Sequence, residues 1–244
     1  MPGVFDHVTI RVTDRSSSER FYDTVLIPLG IDRTYQTGTF SEWQDFQLTR
    51  AEEASATRRL HTGFVAPSRE QVDEFWRAGT EAGYEDDGRP GPRPQYGGDY
   101  YGAFLLDPDG NSAEAVHHGA LRQGGIVDHL WIRVADVVTA KRFYETIAPH
   151  AGLHLTKDTP HRVQFEGDSG SFSLLRGEPT ENLHLAFPSE DDADVQRFHE
   201  AATGAGYSSN GPPGERARYH PGYYAAYVMD PDGNNVEVVN HHRP

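Results

Sequence analysis

Val8, Ile10 and Val12 alternate with His7, Thr9 and Arg11, a period of two that makes residues 5–12 a strand with one apolar and one polar face. Residues 16–28 carry a helical pattern, and short strand-like stretches follow at 33–37 and 40–49. A further strand is expected over 60–66. Ser68-Arg69-Glu70-Gln71 is a capping box, after which Val72, Phe75, Trp76 and Gly79 set a helical stripe that stops at Gly83. Beyond a Gly/Pro-rich stretch at 88–98 come a strand over 100–106, the turn Asp107-Pro108-Asp109-Gly110 and a closing strand ending near Val116. The order is strand, helix, three strands, and then the same again: two βαβββ modules.

The pattern then starts over. Phe5-Asp6-His7-Val8-Thr9-Ile10-Arg11-Val12 returns as Val127-Asp128-His129-Leu130-Trp131-Ile132-Arg133-Val134, and the string from Asp107 to Glu114 returns from Asp230 to Glu237. Arg20-Phe21-Tyr22 answers to Arg142-Phe143-Tyr144, and His61, Tyr100 and Tyr101 answer to His184, Tyr223 and Tyr224, a register broken by one indel. So long a period means duplicated domains rather than a solenoid. Residues 1–118 form the first expected domain, 119–126 a glycine-containing linker and 127–244 the second, whose last helix should start at Ser189. The fold class is α+β, with four modules in one chain.

Composition narrows the chemistry. Without cysteine, disulfides, thiolate ligands and a cysteine nucleophile are excluded, so any metal site uses nitrogen and oxygen. A formal charge of −15 with only Lys141 and Lys157 as lysines argues against a nucleic-acid backbone as partner, and none is expected. No apolar run is long enough to cross a bilayer and the N-terminus lacks a signal-peptide pattern, so no membrane partner and a cytoplasmic location are expected.

Strand parity places the candidate ligands. His7 lies opposite Val8 and Ile10, His129 opposite Leu130 and Ile132, His184 opposite Leu183 and Leu185, and Glu237 opposite Val236 and Val238. A lone strand histidine is usually a hydrogen-bonded structural residue, but here two imidazoles and one carboxylate recur in both halves on the faces left free by the helices. Grouped by halves, the sets are His7, His61 and Glu114, and His129, His184 and Glu237. Two neutral histidines and a carboxylate suit Fe(II), while Zn, Mn or Ni occupy similar sites. The quarter-repeat offers Gln47 as a fourth ligand beside His61, where the second half has only Ser171 and Ser173.

Other residues receive lesser roles. The Asp-Pro-Asp-Gly turns are structural. Tyr100, Tyr101, Tyr223 and Tyr224 are pocket candidates, with one of each pair expected in the core. His220, matched by Gly97 in the first half, is an acid/base candidate together with Tyr223. Arg11 and Arg133 sit roughly 13 Å along their strands from the histidines, as rim charges or a grip for an anionic substrate.

On Asp6-His7-Val8, Arg20-Phe21-Tyr22, His61, the Asp107–Glu114 string and their second-half partners, the chain resembles the vicinal oxygen chelate superfamily of glyoxalases, bleomycin-resistance proteins and extradiol dioxygenases. The stretch from Tyr219 to Glu237 resembles a subgroup of small glyoxalase-like proteins. The resemblance implies two tandem domains, each of two βαβββ modules with a curled half-barrel mixed sheet around a divalent metal that chelates neighbouring substrate oxygens. It implies metal ligands at His7, His61, Glu114, His129, His184 and Glu237. Glyoxalases add a second Glu, so Gln47 and the serines near 173 argue against plain methylglyoxal chemistry. Three functions stay open: a metal-dependent lyase, isomerase or dioxygenase acting on a small molecule; a bleomycin-resistance-like drug-binding protein using Trp43, Trp131 and Tyr223; and a structural or regulatory paralogue. Modules can pair within a half, between halves or between chains, as a monomer or homodimer.

Overall fold

The computed structural model describes residues 4–119, 122 and 124–242; residues 120, 121 and 123 of the expected linker lie outside them. In chain order the elements are β1 (His7–Val12), α1 (Arg15–Leu26), β2 (Tyr35–Gln36), β3 (Phe40–Trp43), β4 (Phe46–Arg50), β5 (Leu60–Val65), α2 (Arg69–Glu81), β6 (Asp86–Pro92), β7 (Tyr101–Leu106) and β8 (Ser112–His117). The second half supplies β9 (Val127–Val134), α3 (Val137–Ile147), β10 (His154–Asp158), β11 (Arg162–Glu166), β12 (Ser171–Arg176), β13 (His184–Pro188), α4 (Asp192–Gly204), β14 (Ser209–Glu215), β15 (Tyr224–Met229) and β16 (Asn235–Asn240). No described helix is long and apolar enough to cross a membrane.

The four βαβββ modules form two open, mixed, 8-stranded sheets, and each sheet takes one module from each half. One runs β14-β15-β16-β13-β1-β4-β3-β2, the other β10-β11-β12-β9-β5-β8-β7-β6. The seams are antiparallel: β1 on β13, with His7 opposite Ala186, and β5 on β9, with Gly63 opposite His129. The sheets therefore reach across the halves.

Each half nevertheless packs its own aromatic cluster beneath its helices. Phe21, Tyr22, Phe46 and Phe64 are 0–2% exposed, and Tyr22 lies 4.8 Å from Phe46 by ring centroid. Phe143, Tyr144, Phe165 and Phe172 repeat the arrangement, with Tyr144 also 4.8 Å from Phe172. Val8, Ile10 and Val12 face this core, as their period requires, and leave His7, Thr9 and Arg11 on the opposite side. Trp43 belongs to the core as well: it is fully buried against Tyr22 and Phe46, so it lines no pocket.

Local chemistry accounts for the boundaries. Ser68 accepts a hydrogen bond from the Gln71 amide, but the Gln71 side chain donates to the Pro28 carbonyl, so only half of the capping box forms. Asp191, not Ser189, caps α4, accepting from the Ala193 amide at 2.8 Å; Ser189 instead hydrogen-bonds the backbone of Asp191. The stretch 40–49 splits into two strands because the chain turns at Gln44 (φ 53). The Gly/Pro-rich segments Asp86–Pro92 and Ser209–Glu215 are strands too, tolerated because both lie at or beside sheet edges with broken register.

The Asp-Pro-Asp-Gly turns are structural clasps. Asp107 accepts from the amides of Asp109 and Asn111, while Asn111 Oδ1 accepts from the Leu60 amide and so ties the turn to the start of β5. Asp230 and Asn234 hold Leu183 in the same way.

The crossed sheets predict that residues 1–118 alone have a core but incomplete sheets. Expressed separately, this half is expected to self-associate, with β1 of one copy taking β5 of another; a stable monomer with native circular dichroism in sedimentation equilibrium would contradict the exchange.

Candidate metal centres

Two triads converge on the faces opposite the helices, and their membership corrects the grouping by halves. His7, His184 and Glu237 form one; His61, Glu114 and His129 form the other, each with ligand atoms within 4.8 Å of one another. All six predicted ligands are present, but each triad draws one histidine from each half because β1 pairs with β13 and β5 with β9. We call them centre A (His7) and centre B (His61). One chain completes both.

Each carboxylate divides its oxygens between two tasks. In centre B, Glu114 Oε1 accepts from the Tyr100 hydroxyl at 2.8 Å, while Oε2 faces His61 Nε2 at 2.9 Å and His129 Nε2 at 3.3 Å. In centre A, Glu237 Oε1 accepts from the Tyr223 hydroxyl at 2.7 Å, and Oε2 lies 3.0 Å from His184 Nε2 and 3.7 Å from His7 Nε2. The two imidazoles of centre A bring their Nε2 atoms within 3.0 Å. Tyr101 and Tyr224 point the other way, to Asp73 and Gln196, so the first tyrosine of each pair serves the site.

A second layer fixes the imidazoles. Asp6 lies 2.7 Å from His7 Nδ1, and Asp128 lies 2.9 Å from His129 Nδ1. Each aspartate spends its other oxygen on a further histidine: Asp6 on His241 at 2.8 Å, Asp128 on His118 at 3.0 Å. His61 Nδ1 meets Ser112 Oγ at 3.1 Å, and the Asn235 amide lies against His184 Nδ1. Carboxylate–imidazole pairs of this kind set which ring nitrogen carries the proton. His220 stands outside centre A, packs edge-on to Tyr223 at 5.3 Å, and is linked by hydrogen bonds to His7 through His241, at 2.8 Å, and Asp6.

Charge follows from burial and contact. Burial works to raise Glu114, but His129 and His61 outweigh it and hold the carboxyl at about 2. Burial works to lower His129, yet its contacts with Asp128 and Glu114 hold it up at about 9. His7 is likewise raised, by Asp6 and Glu237 against its burial. Burial lowers His61 and His184 despite their Glu partners. Burial and the adjacent carboxylates push Tyr100 and Tyr223 up, so both phenols stay protonated donors.

The lining differs between centres. Gln47, expected beside His61, lies in the sheet of centre A opposite Thr9, where Oε1 accepts from Thr9 at 3.0 Å and Nε2 donates to Glu42 at 3.1 Å. The matching positions in centre B are Trp131 and Ser173. Trp131 lies tilted against both imidazoles, 4.8 Å from His61 and 5.9 Å from His129 by ring centroid. Arg11 and Arg133 are exposed and make no ion pair among the described residues. Two features escaped the sequence: Arg162, over Trp131, and Gly63, where a Cβ would press into the His129 ring.

The donor sets fit a divalent ion. Two imidazole nitrogens and one carboxylate oxygen per centre suit Fe(II), Mn, Ni or Zn. His129 Nε2 is buried and faces Glu114 Oε2 at 3.3 Å, too long for a good hydrogen bond and placed for a cation to replace the proton between them.

Comparison with known proteins agrees with this architecture. The family model described as Glyoxalase/Bleomycin resistance protein/Dioxygenase superfamily matches residues 4–115 and again 126–238. Glyoxalase I from Zea mays is similar in fold, at 18% identity and TM-score 0.68 over 97% of this chain and 92% of that one; a point mutant of it gives 20% and 0.72 over the same shares. A protein from Bacillus subtilis subsp. subtilis str. 168, solved as a candidate dioxygenase, matches at 17% identity and TM-score 0.67 over 99% of this chain and 86% of that one. No curated protein matches the sequence. The chain belongs to the glyoxalase, bleomycin resistance and dioxygenase superfamily.

Proposed function

We propose that the protein is a metal-dependent enzyme of the glyoxalase/dioxygenase type, acting on a small oxygenated organic molecule at two centres in one chain. The observation that carries this reading is the duplicated convergence of two Nε2 atoms and one Oε2 on a single point. A bound divalent ion supplies Lewis acidity towards two neighbouring substrate oxygens. The chain's own residues prepare its seat. Asp6 and Asp128 hold a proton of His7 and His129 on Nδ1, so that Nε2 is the nitrogen that gives up its proton to ligate, and the Tyr100 and Tyr223 hydroxyls hold one Glu oxygen so that the other faces inward.

On this reading Tyr223 and His220 are positioning residues. The Tyr223 hydroxyl is committed to Glu237, and His220 is linked to His7 through His241 and Asp6. The drug-sequestering alternative loses Trp43, which is in the core. Gln47 is committed to Thr9 and Glu42, so the proposed set in centre A is His7, His184 and Glu237.

Elemental analysis tests the reading and the grouping together. The purified protein is expected to hold two ions, one per triad. The double variant His7→Ala/Glu237→Ala should keep the ion of centre B, whereas His7→Ala/Glu114→Ala, which lies within one half of the sequence, should lose both. Absence of metal after anaerobic reconstitution would sink the proposal.

Protons compete with the ion. His129 in the metal-free protein is raised to about 9 and so carries a proton at neutral pH that binding must release. Affinity at centre B is therefore expected to fall about tenfold per pH unit on acidification below that value. Calorimetry in buffers of different ionisation enthalpy should show proton release at pH 7; none would show that His129 is already neutral.

Crowding at Gly63 gives a selective variant. Gly63→Ala must displace the His129 ring, an overpacking cost of about 1–3 kcal/mol, while centre A already has Ala186 opposite His7. Metal titration should show centre B weakened about tenfold or more and centre A unchanged.

A further inference from the structure

The two centres share a frame but not a charge pattern. Ladder register equates Trp131 with Thr9, Ser173 with Gln47, Gln164 with Glu42 and Arg162 with Phe40. An arginine over an aromatic ring flanks both centres, Arg93 over Phe104 in B and Arg216 over Tyr227 in A. The opposite wall of centre A has the carboxylate of Glu42, where centre B has the uncharged Gln164 and, one ladder step along, the cation Arg162.

Arg162 is held in place without being neutralised. Its Nε donates to Ser173 Oγ at 3.0 Å and its Nη2 to Gln164 Oε1 at 3.0 Å, both neutral acceptors. Its guanidinium lies over Trp131 at 5.6 Å, and the same indole lies 4.8 Å from the His61 imidazole by ring centroid. No carboxylate pairs with it among the described residues, although the chain is strongly acidic. Half-buried with an unneutralised planar fork, it is shaped for a carboxylate. Trp131, Tyr96 and Phe104 line the approach to the triad; Tyr96 packs edge-on to Trp131 at 5.2 Å and Phe104 lies 5.8 Å from His61.

We propose that centre B takes an aromatic carboxylate, its anion on Arg162 and its ring among Trp131, Tyr96 and Phe104, and that centre A does not. This names the substrate class for one of the centres assigned above and rests on that reading for its chemistry, but the anion grip stands without the ion. Arg162 is a specificity residue.

The test is a ligand-observed NMR titration of the full-length protein with benzoate, and with benzyl alcohol as the uncharged counterpart, before and after removal of metal by a chelator. Benzoate should bind wild type, and Arg162→Gln should weaken it about tenfold or more, with benzyl alcohol bound weakly and equally by both. Arg162→Lys, which keeps the charge and guards against misfolding of the first variant, should recover part of the loss, and Glu42→Gln in centre A should have no effect. Benzoate affinity indifferent to Arg162→Gln, or benzyl alcohol bound as tightly as benzoate, would overturn the inference. Metal retained at both centres with benzoate indifferent to Arg162 would overturn this inference alone; Arg162-dependent benzoate binding in a protein that holds no metal would support it and bring down only the metal reading.

Discussion

Glu114 and Glu237 are at most 1% exposed, and an ionised carboxylate so far from water costs several kcal/mol unless donors and cations converge on it. The required partners are a phenol from the neighbouring strand and two imidazoles from the next two strands across the sheet. For Glu114 these are Tyr100 just before β7, His61 on β5 and His129 on β9. The charge at the bottom of each cleft is thus satisfied only when the seam between halves has closed in the correct register. Local chemistry and global topology have one solution in common.

That frame separates what must be kept from what is free to vary. The apolar faces of the inner strands pack in the core, and the triads, their tyrosines and their aspartates form a connected polar network whose members depend on one another. Positions such as 9, 40, 42 and 47 lie outside the core, and Thr9, Glu42 and Gln47 hydrogen-bond one another rather than the triads. Their counterparts at 131, 162, 164 and 173 differ in size, charge or both, while the ligands stay the same. Duplication supplied two scaffolds, and the cleft walls have since diverged.

The sequence made the elements and the side chains of the two triads legible because both follow from parity. A period of two puts His7 and Glu237 on the open face whatever the strands pair with. What it left out was adjacency: a repeat tells which residues are equivalent, not which copies touch. Grouping by halves therefore misassigned one histidine per centre and placed Gln47 beside the wrong one. Strands β6 and β14 were hidden because Asp86–Pro92 and Ser209–Glu215 are rich in proline and glycine, residues that interior ladders exclude but edges tolerate. Trp43 was placed on the wrong face because the turn at Gln44 divides the run that contains it. Arg162 was invisible for a different reason. Looking for what recurs draws attention to shared chemistry, and Arg162 has Phe40 as its partner.

The crossed seams have a consequence for dilution. Were each half a separate protein, both clefts would exist only above the concentration at which the halves associate, and their occupancy would drop whenever the protein became scarce. Joining the halves by one short connection replaces that concentration with an effective one set by the tether, of millimolar order for short flexible links. The assembled clefts then persist however few molecules are present.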